Sequence, residues 1–325
     1  MPGELQGKVA LITGGTKSIG LGIAKKFSQN GATVIITGRT SQAEGEQIAG
    51  KIGATAIYLC LNVASETDWE CAATFIKEKF GQLDILVNNA GIDSPPNTKS
   101  PQDPEHCSIE DWEEVHHVNL RGVFLAIKFM LPFLKESSAA SIINMGSRSG
   151  LIGVPDYAAY SSSKAAVLNY TKTVAIYCKE QGYPISCNAI VPAAIDTEIW
   201  DKDFGHGLMR EEQVAQYSKK IPWGRMGTVE EVAKLALFLA ANPDSFMTGA
   251  PFIIDGGITA GSGSYSHKKM DTVLPTVDEK DVPRFNEKNI ISAEVLPKHS
   301  IFRFPERPAN TATIENPLQE MGQKL

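Results

Sequence analysis

The 325-residue sequence predicts an α/β protein: a doubly wound, parallel, seven-stranded sheet with helices on both faces, followed by an extended C-terminal tail. Two observations predict the domain. From Lys8 to about Ile258, short apolar β-branched runs alternate with longer amphipathic stretches, the pattern of successive β-α units. Each apolar run is too short for a buried helix and apolar enough to be covered on both faces, as parallel strands are. A third observation predicts the tail, because the composition turns polar and proline-rich after Ile258.

The strands are expected at residues 9–13, 33–37, 56–60, 85–87, 141–145, 185–190 and 252–254. Between them, a helical pattern runs from Ile23 until Asn30-Gly31 ends it, and long helices are expected over 110–135 and 157–178. Thr228 followed by Glu231 reads as a capping box, and Asn242-Pro243 closes the helix it opens. Residues 1–260 therefore form one domain. Residues 261–325 begin with Gly261-Ser262-Gly263-Ser264 and carry Pro275, Pro283, Pro297, Pro305, Pro308 and Pro317, which forbid a long helix. This tail is expected to be partly disordered or to dock on a neighbouring subunit through its apolar segments.

Composition excludes several classes of partner. A net charge of −6 provides no basic field for nucleic acid or anionic lipid, and the apolar run near the N-terminus is too short to span a membrane. Five cysteines, odd in number and widely spaced, suggest neither a disulfide framework nor a zinc knuckle, so a cytoplasmic protein is expected. His106, Cys107, His116 and His117 lack metal-ligand spacing, and no metal is expected.

The first strand runs directly into Gly14-Gly15-Thr16-Lys17-Ser18-Ile19-Gly20-Leu21-Gly22 and then a helix. A strand, a glycine turn and a helix N-terminus offer backbone N–H groups and a positive dipole end to a pyrophosphate, the Rossmann-type arrangement. The second strand ends at Gly38-Arg39 rather than at an acidic residue. Arg39 can fork onto a ribose 2′-phosphate, with Lys17 adding charge, which favours NADP over NAD.

Tyr160 and Lys164 stand four residues apart in a helical run, so they share one face, and an ammonium beside a phenol favours the phenolate. Ser147 follows the fifth strand at its carboxyl end, where its hydroxyl can hold a substrate oxygen as charge develops.

Together with Thr13-Gly14, Asn88-Asn89-Ala90-Gly91, Asn119 in "VNLRG", Asn188 to Thr197 and Asp255-Gly256-Gly257, these residues resemble the short-chain dehydrogenase/reductase family in its main single-domain branch, from about Gly7 to Gly257. The resemblance implies that Tyr160 is the general acid/base, that Lys164 binds the nicotinamide ribose and lowers the tyrosine pKa, that Ser147 orients the substrate, and that Asn119 holds a relay water. It implies cofactor contacts at Gly14, Thr16, Lys17, Ser18, Ile19, Arg39, Asn62, Val63, Asn89, Ala90, Gly91, Tyr160, Lys164, Pro192, Ile195 and Thr197. Three positions depart from the family pattern. Ser18 replaces a loop glycine, Asn62 replaces the aspartate that receives the adenine amino group, and Ala193 replaces the glycine after Pro192, restricting the backbone there.

The segment 177–197 also resembles the hydroxysteroid and alicyclic alcohol dehydrogenase branch, many of whose members use NAD. The substrate pocket is expected between residues 92–108 and 198–223. In the second segment, Trp200, Phe204, Leu208, Met209 and Trp223 either line an apolar lid or pack it onto the core or a subunit neighbour, with Gly205 and Gly207 as hinges. The expected activity interconverts a hydrophobic secondary alcohol and its ketone; the alternatives are a 3-ketoacyl-type reductase and a non-catalytic NADP(H) sensor. Helices 110–135 and 157–178 resemble the family's subunit interfaces, so a homodimer or homotetramer is expected.

Overall fold

The computed structural model describes residues 3–261, so the expected tail, except for Gly261, lies outside the described residues. Seven parallel strands form one sheet in the order β3-β2-β1-β4-β5-β6-β7. They are β1 (Val9–Ile12), β2 (Thr33–Gly38), β3 (Ile57–Cys60), β4 (Ile85–Asn88), β5 (Ala140–Met145), β6 (Ile185–Pro192) and β7 (Pro251–Ile254). All seven expected strands are present, with ends moved by one or two residues. β7 corrects the expectation of cover on both faces, because it is an edge strand whose Ile253 is half exposed.

Alternation along β1 divides the interior into two cores: Val9 and Leu11 face one, Ala10 and Ile12 the other. The first core is closed by α3 (Glu66–Lys79), α5 (Gly122–Leu134) and α6 (Ala158–Glu180), through residues such as Trp69, Ile76, Met130 and Val174. The second is closed by α1 (Ser18–Gln29), α2 (Gln42–Ile52) and α9 (Val229–Ala241), through Ile23, Phe27, Ala49 and Val232. At the amino ends of the strands, buried Asp84 accepts from Val9 N at 2.9 Å and Ser137 Oγ at 2.6 Å, and pairs with Lys8 at 3.2 Å. The opposite, carboxyl ends diverge between β1 and β4, where the chain order reverses, and open a crevice.

Two helices differ from expectation. The glycine-rich run is shorter as a turn than it reads, because α1 already begins at Ser18 and takes Gly20 and Gly22 into its first turns. Residues 110–135 are not one regular helix: α4 (Ile109–His116) passes through a π-turn (His117–Arg121) into α5. Pro132 lies within α5, but the break occurs upstream, centred on Asn119. A π-turn inserts one residue into the helical register and re-aims a side chain. The apolar 109–134 stretch is long enough to cross a membrane by composition, yet Val115, Leu125, Ala126, Met130 and Leu134 are buried in the protein interior.

The Thr228 capping box is present: Thr228 Oγ1 accepts from Glu231 N, and the Glu231 carboxylate accepts from Thr228 N at 2.8 Å. Arg225 adds a two-pronged pair at 2.6 and 3.0 Å, and these bonds hold the Glu231 carboxyl down at about 2, against its ordinary 4.5. A depressed folded-state value contributes stability fully above pH 4.5, and that stability is lost as pH falls toward 2. Glu231→Gln is expected to cost about 1 kcal/mol at pH 7, and the difference from the parent should shrink between pH 4.5 and 2 in urea unfolding curves.

Candidate active site

The crevice between β1 and β4 is stitched by two side chains. Thr13 Oγ1 accepts from the backbone N–H groups of Asn89 and Ala90, both at 3.0 Å, and the Asn89 amide donates back to Thr13 O and Gly14 O at 3.0 and 3.1 Å. The glycine loop is thereby tied to the end of β4. Its shape depends on missing side chains: a Cβ on Gly20 would fall 2.2 Å from Gly14 O and 2.5 Å from Asn89 Nδ2, and one on Gly15 would fall 2.7 Å from Ile36. Lys17 precedes α1 without a side-chain cap, so its side chain leaves the first-turn amides uncovered. A glycine cradle facing an uncapped helix N-terminus fits a dinucleotide pyrophosphate.

Ser18, at the place of the loop's second glycine, takes a left-handed φ of 48°. The strain that its side chain introduces lies in the cradle itself. Ile19 packs its side chain into the second core, which leaves its main chain for a ligand.

At the outer end of the crevice, Gly38 supports the loop from below, since a Cβ there would lie 3.0 Å from Thr16 Cγ2. Arg39 and Asn62 line an open groove of about 320 Å³ with Glu110, Glu113, Glu114 and His117. Arg39 and Lys17 are exposed. The Asn62 amide oxygen accepts from Ala64 N at 3.1 Å, turning the chain locally after β3. Val63 is buried, and its carbonyl accepts from Trp69 Nε1 at 2.9 Å, so what it can offer a ligand is main chain.

The carboxyl end of β5 and the start of α6 bring Ser147, Tyr160 and Lys164 together. The Ser147 hydroxyl lies near enough to the Tyr160 phenol to oppose the rise in its pKa, and its Oγ accepts from Ser149 N at 3.2 Å. Lys164, 4% exposed, donates to Met145 O at 2.9 Å, with Nζ 5.7 Å from the Tyr160 ring centroid. Burial lowers its pKa to about 8. The expectation that Lys164 lowers the tyrosine pKa needs correction in this structure. Burial raises the phenol above its usual range, the Ser147 hydroxyl and the Arg148 charge oppose that rise, and the lysine head group is turned to a carbonyl.

Asn119, 1% exposed, reaches the same cluster because the π-turn aims it there. Its amide donates to Ile92 O at 2.8 Å and to Ser163 Oγ at 3.0 Å, while its oxygen accepts from Ile92 N at 2.8 Å. Ser163 in turn donates to Tyr160 O at 2.7 Å. Gly91 makes room for the group, since a Cβ there would lie 3.1 Å from Asn119 Oδ1 and 3.3 Å from Lys164 Nζ. Sequence reasoning missed Ser163 and undervalued Thr13. Thr13 carried a signal, a hydroxyl immediately before the glycine turn; Ser163 carried none, since only the fold brings it to Asn119.

The segment after β6 runs past Pro192 and is zipped to Gly227 by Gly227 N to Ala194 O at 2.9 Å and Asp196 N to Gly227 O at 2.8 Å. The strained residue is Ala194, with φ 52°, one position after the Ala193 where restriction was expected. Ile195 is buried, and its carbonyl accepts from Trp200 Nε1 at 2.9 Å and lies 3.5 Å from Thr197 Oγ1.

The segment expected as a lid forms α7 (Asp201–Phe204) and α8 (Gly207–Ser218), and Gly205 between them and Gly207 at the start of α8 both have positive φ. The two roles considered for its aromatics divide. Trp200 stacks on Phe204 at 5.0 Å and both contact Tyr217, packing the lid inward, whereas Leu208, Met209 and Trp223 are 79%, 65% and 70% exposed. Arg210 of α8 holds Asp196 at 2.6 Å, Asp201 at 2.8 Å and Thr197 O at 3.2 Å, tying lid to loop. Two of the histidines considered as metal ligands have other partners: His106 pairs with Asp103, and His116 bridges Trp112 O and Ser162.

Residues 14–259 match the family profile described as enoyl-(acyl carrier protein) reductase. The chain is 38% identical over 263 residues to an NADP-dependent (R)-specific alcohol dehydrogenase of Lentilactobacillus kefiri, covering 80% of this chain and 100% of the relative. It is 36% identical over 258 residues to a 3-beta-hydroxysteroid dehydrogenase of Comamonas testosteroni, covering 79% and 98%. A 3-oxoacyl-(acyl-carrier-protein) reductase of Aquifex aeolicus is also 36% identical over 258 residues, covering 78% and 98%.

Ser18→Gly is expected to release the left-handed strain and raise stability by about 1 kcal/mol in chemical denaturation. Gly20→Ala, by contrast, should close the cradle and abolish dinucleotide binding in a fluorescence titration.

Proposed function

Because the chain belongs to the short-chain dehydrogenase/reductase family and is an NAD(P)-dependent oxidoreductase of alcohol and carbonyl groups, we propose that it interconverts a hydrophobic secondary alcohol and its ketone, with Tyr160 as general acid/base and NADP(H) as preferred cofactor. The observation that carries this reading is the convergence of Ser147, Tyr160, Lys164 and Asn119 at the carboxyl end of β5, beside a dinucleotide cradle.

The cradle residues Gly14, Thr16, Ser18 and Ile19 would hold the pyrophosphate, Asn89, Ala90 and Gly91 the adenosine side, and Pro192, Ile195, Thr197 and Lys164 the nicotinamide ribose and ring. Bound there, the nicotinamide would supply or accept the hydride. In the reducing direction Tyr160 delivers its hydroxyl proton to the carbonyl oxygen while Ser147 donates a hydrogen bond to the same atom; in the oxidising direction Tyr160 removes that proton. Asn119, fixed by Ile92 and Ser163, is the place for a relay water behind the tyrosine. Lys164, with a pKa near 8, keeps its charge at neutral pH and is positioned to bind a ribose hydroxyl once it turns from Met145 O.

Arg39 and Lys17, both exposed at the outer end of the cradle, support NADP, as does the NADP-dependent relative. Exposed Leu208 and Met209 on the lid support an apolar substrate. A 3-ketoacyl substrate is the second reading, favoured by the profile description and the Aquifex relative. Exposed Ile109, Trp112, Phe124, Ile176 and Tyr177 on α4, α5 and α6 support a homo-oligomer, for which light scattering should give a mass of two or four chains and a monomer would refute it. The five free cysteines accord with a cytoplasmic location.

With a panel of cyclic, steroid and acyl-carrier-linked ketones, Tyr160→Phe is expected to reduce kcat by about 100-fold or more while leaving NADPH affinity intact. Arg39→Ala should weaken NADPH by about tenfold and leave NADH nearly unchanged. Equal turnover of NADH and NADPH by the parent protein would refute the cofactor preference. NADPH binding without turnover of any ketone or alcohol would favour a sensor.

A further inference from the structure

The 92–108 segment joins β4 to α4 and carries no helix or strand, yet it is fastened at three places. Its first residue, Ile92, is held by both ends of the Asn119 amide, and its last, Ser108, caps α4 by accepting from Asp111 N at 3.1 Å. The third fastening lies in the middle. Asp111 is only 9% exposed, and a single carboxylate oxygen, Oδ2, accepts from Thr98 Oγ1 and from Gln102 Nε2, the latter at 2.9 Å. The Gln102 amide also donates to Ser100 O at 3.0 Å, while the Gln102 backbone carbonyl accepts from Ala158 N at 2.9 Å. Ala158 is the first residue of α6, two before Tyr160.

One carboxylate on α4 therefore connects the loop that follows β4 to the first turn of the helix carrying Tyr160. Among the described residues Asp111 makes no ion pair, and burying a carboxylate without a counter-charge is costly unless hydrogen bonds satisfy it, here those from Thr98 and Gln102. What these bonds organise is the separation between residues 98–102 and Tyr160. The loop lies close enough to the tyrosine for the charge of Asp93 to act on it.

We propose that Asp111 is a positioning residue, locking the 92–108 loop through Gln102 to the start of α6 so that the loop forms a fixed wall of the substrate pocket and sets which ketones reach Tyr160. This rests on the function proposed above only where it speaks of ketones; the lock itself does not.

The test uses the full chain with Asp111→Ala, Asp111→Asn and Gln102→Leu, read by hydrogen exchange and by NADPH-dependent reduction of cyclohexanone and of a saturated 3-ketosteroid. In Asp111→Ala, amides of residues 92–108 and the first turn of α6 should exchange about tenfold faster while those of β1 and β4 stay unchanged. The ratio of KM values for the two ketones should change about fivefold or more, with NADPH affinity unaltered. Asp111→Asn, whose amide oxygen can still accept from Thr98 and Gln102, should restore most of both. If Asp111→Ala does not fold, Gln102→Leu removes the side-chain link alone and should give the same two changes. Unchanged exchange at the start of α6 overturns the lock, and an equal loss for both ketones overturns its role in selecting substrates. If the parent protein turns over neither ketone nor the wider panel, the functional reading fails, and the exchange result alone decides the lock.

Discussion

The structure depends on one constraint, the separation of two neighbouring parallel strands at the point where the chain order reverses. Between β1 and β4 the following connections leave in opposite directions, so the ladder ends at the bond from Thr13 N to Val87 O, and the Thr13 and Gly14 carbonyls and the Ala90 N–H lie beyond it. Thr13 and Asn89 supply partners, and in doing so hold the glycine turn against β4. The cradle, the start of α1 and the cluster around Asn119 all take their positions from that junction. A substitution that loosened it would disturb both the glycine turn and the Asn119–Ser163–Tyr160 cluster.

The second requirement is that α6 lie on the sheet in a single register, because it carries both Tyr160 and Lys164. Apolar packing does not specify rotation finely, but buried polar groups do, since each must meet its partner. Asn88 donates to Asn144 at 2.8 Å, Asn144 donates to Thr171 of α6 at 2.9 Å, and Lys164 reaches Met145 O. These bonds join β4, β5 and α6 in series, and the π-turn adds a fourth member by directing Asn119 to Ser163. The irregular helix is therefore part of the site's construction.

Strain sits at both ends of the crevice. Ser18 in the cradle and Ala194 beside Thr197 are the two non-glycine residues with left-handed backbone among those described. Each is held by its surroundings: Ser18 by the close approach of Gly20 to Gly14 O, Ala194 by the bond from Gly227 N. Left-handed geometry at a ligand-facing turn brings backbone groups toward the ligand, and the neighbouring contacts make the cost tolerable.

The alternation of apolar runs, the glycine turn after β1, the Thr228–Glu231 cap and the four-residue spacing of Tyr160 and Lys164 are local patterns. Local patterns are legible because strand, turn and helix periods are properties of the chain itself. The sequence by itself therefore determined the parallel sheet and the glycine turn, and it named Ser147, Tyr160, Lys164 and Asn119, which the fold brings together without the Ser163 that joins them. It did not determine that the 110–135 helix breaks at Asn119, that Trp200 and Phe204 turn inward while Leu208 and Met209 face out, or that Lys164 bonds a carbonyl. Nor did it determine that Asp111 bonds a loop that in turn bonds the start of α6. Those were decided by the tertiary structure, because each depends on which groups from distant segments arrive within hydrogen-bonding or packing distance, and no period or spacing along the chain encodes that arrival.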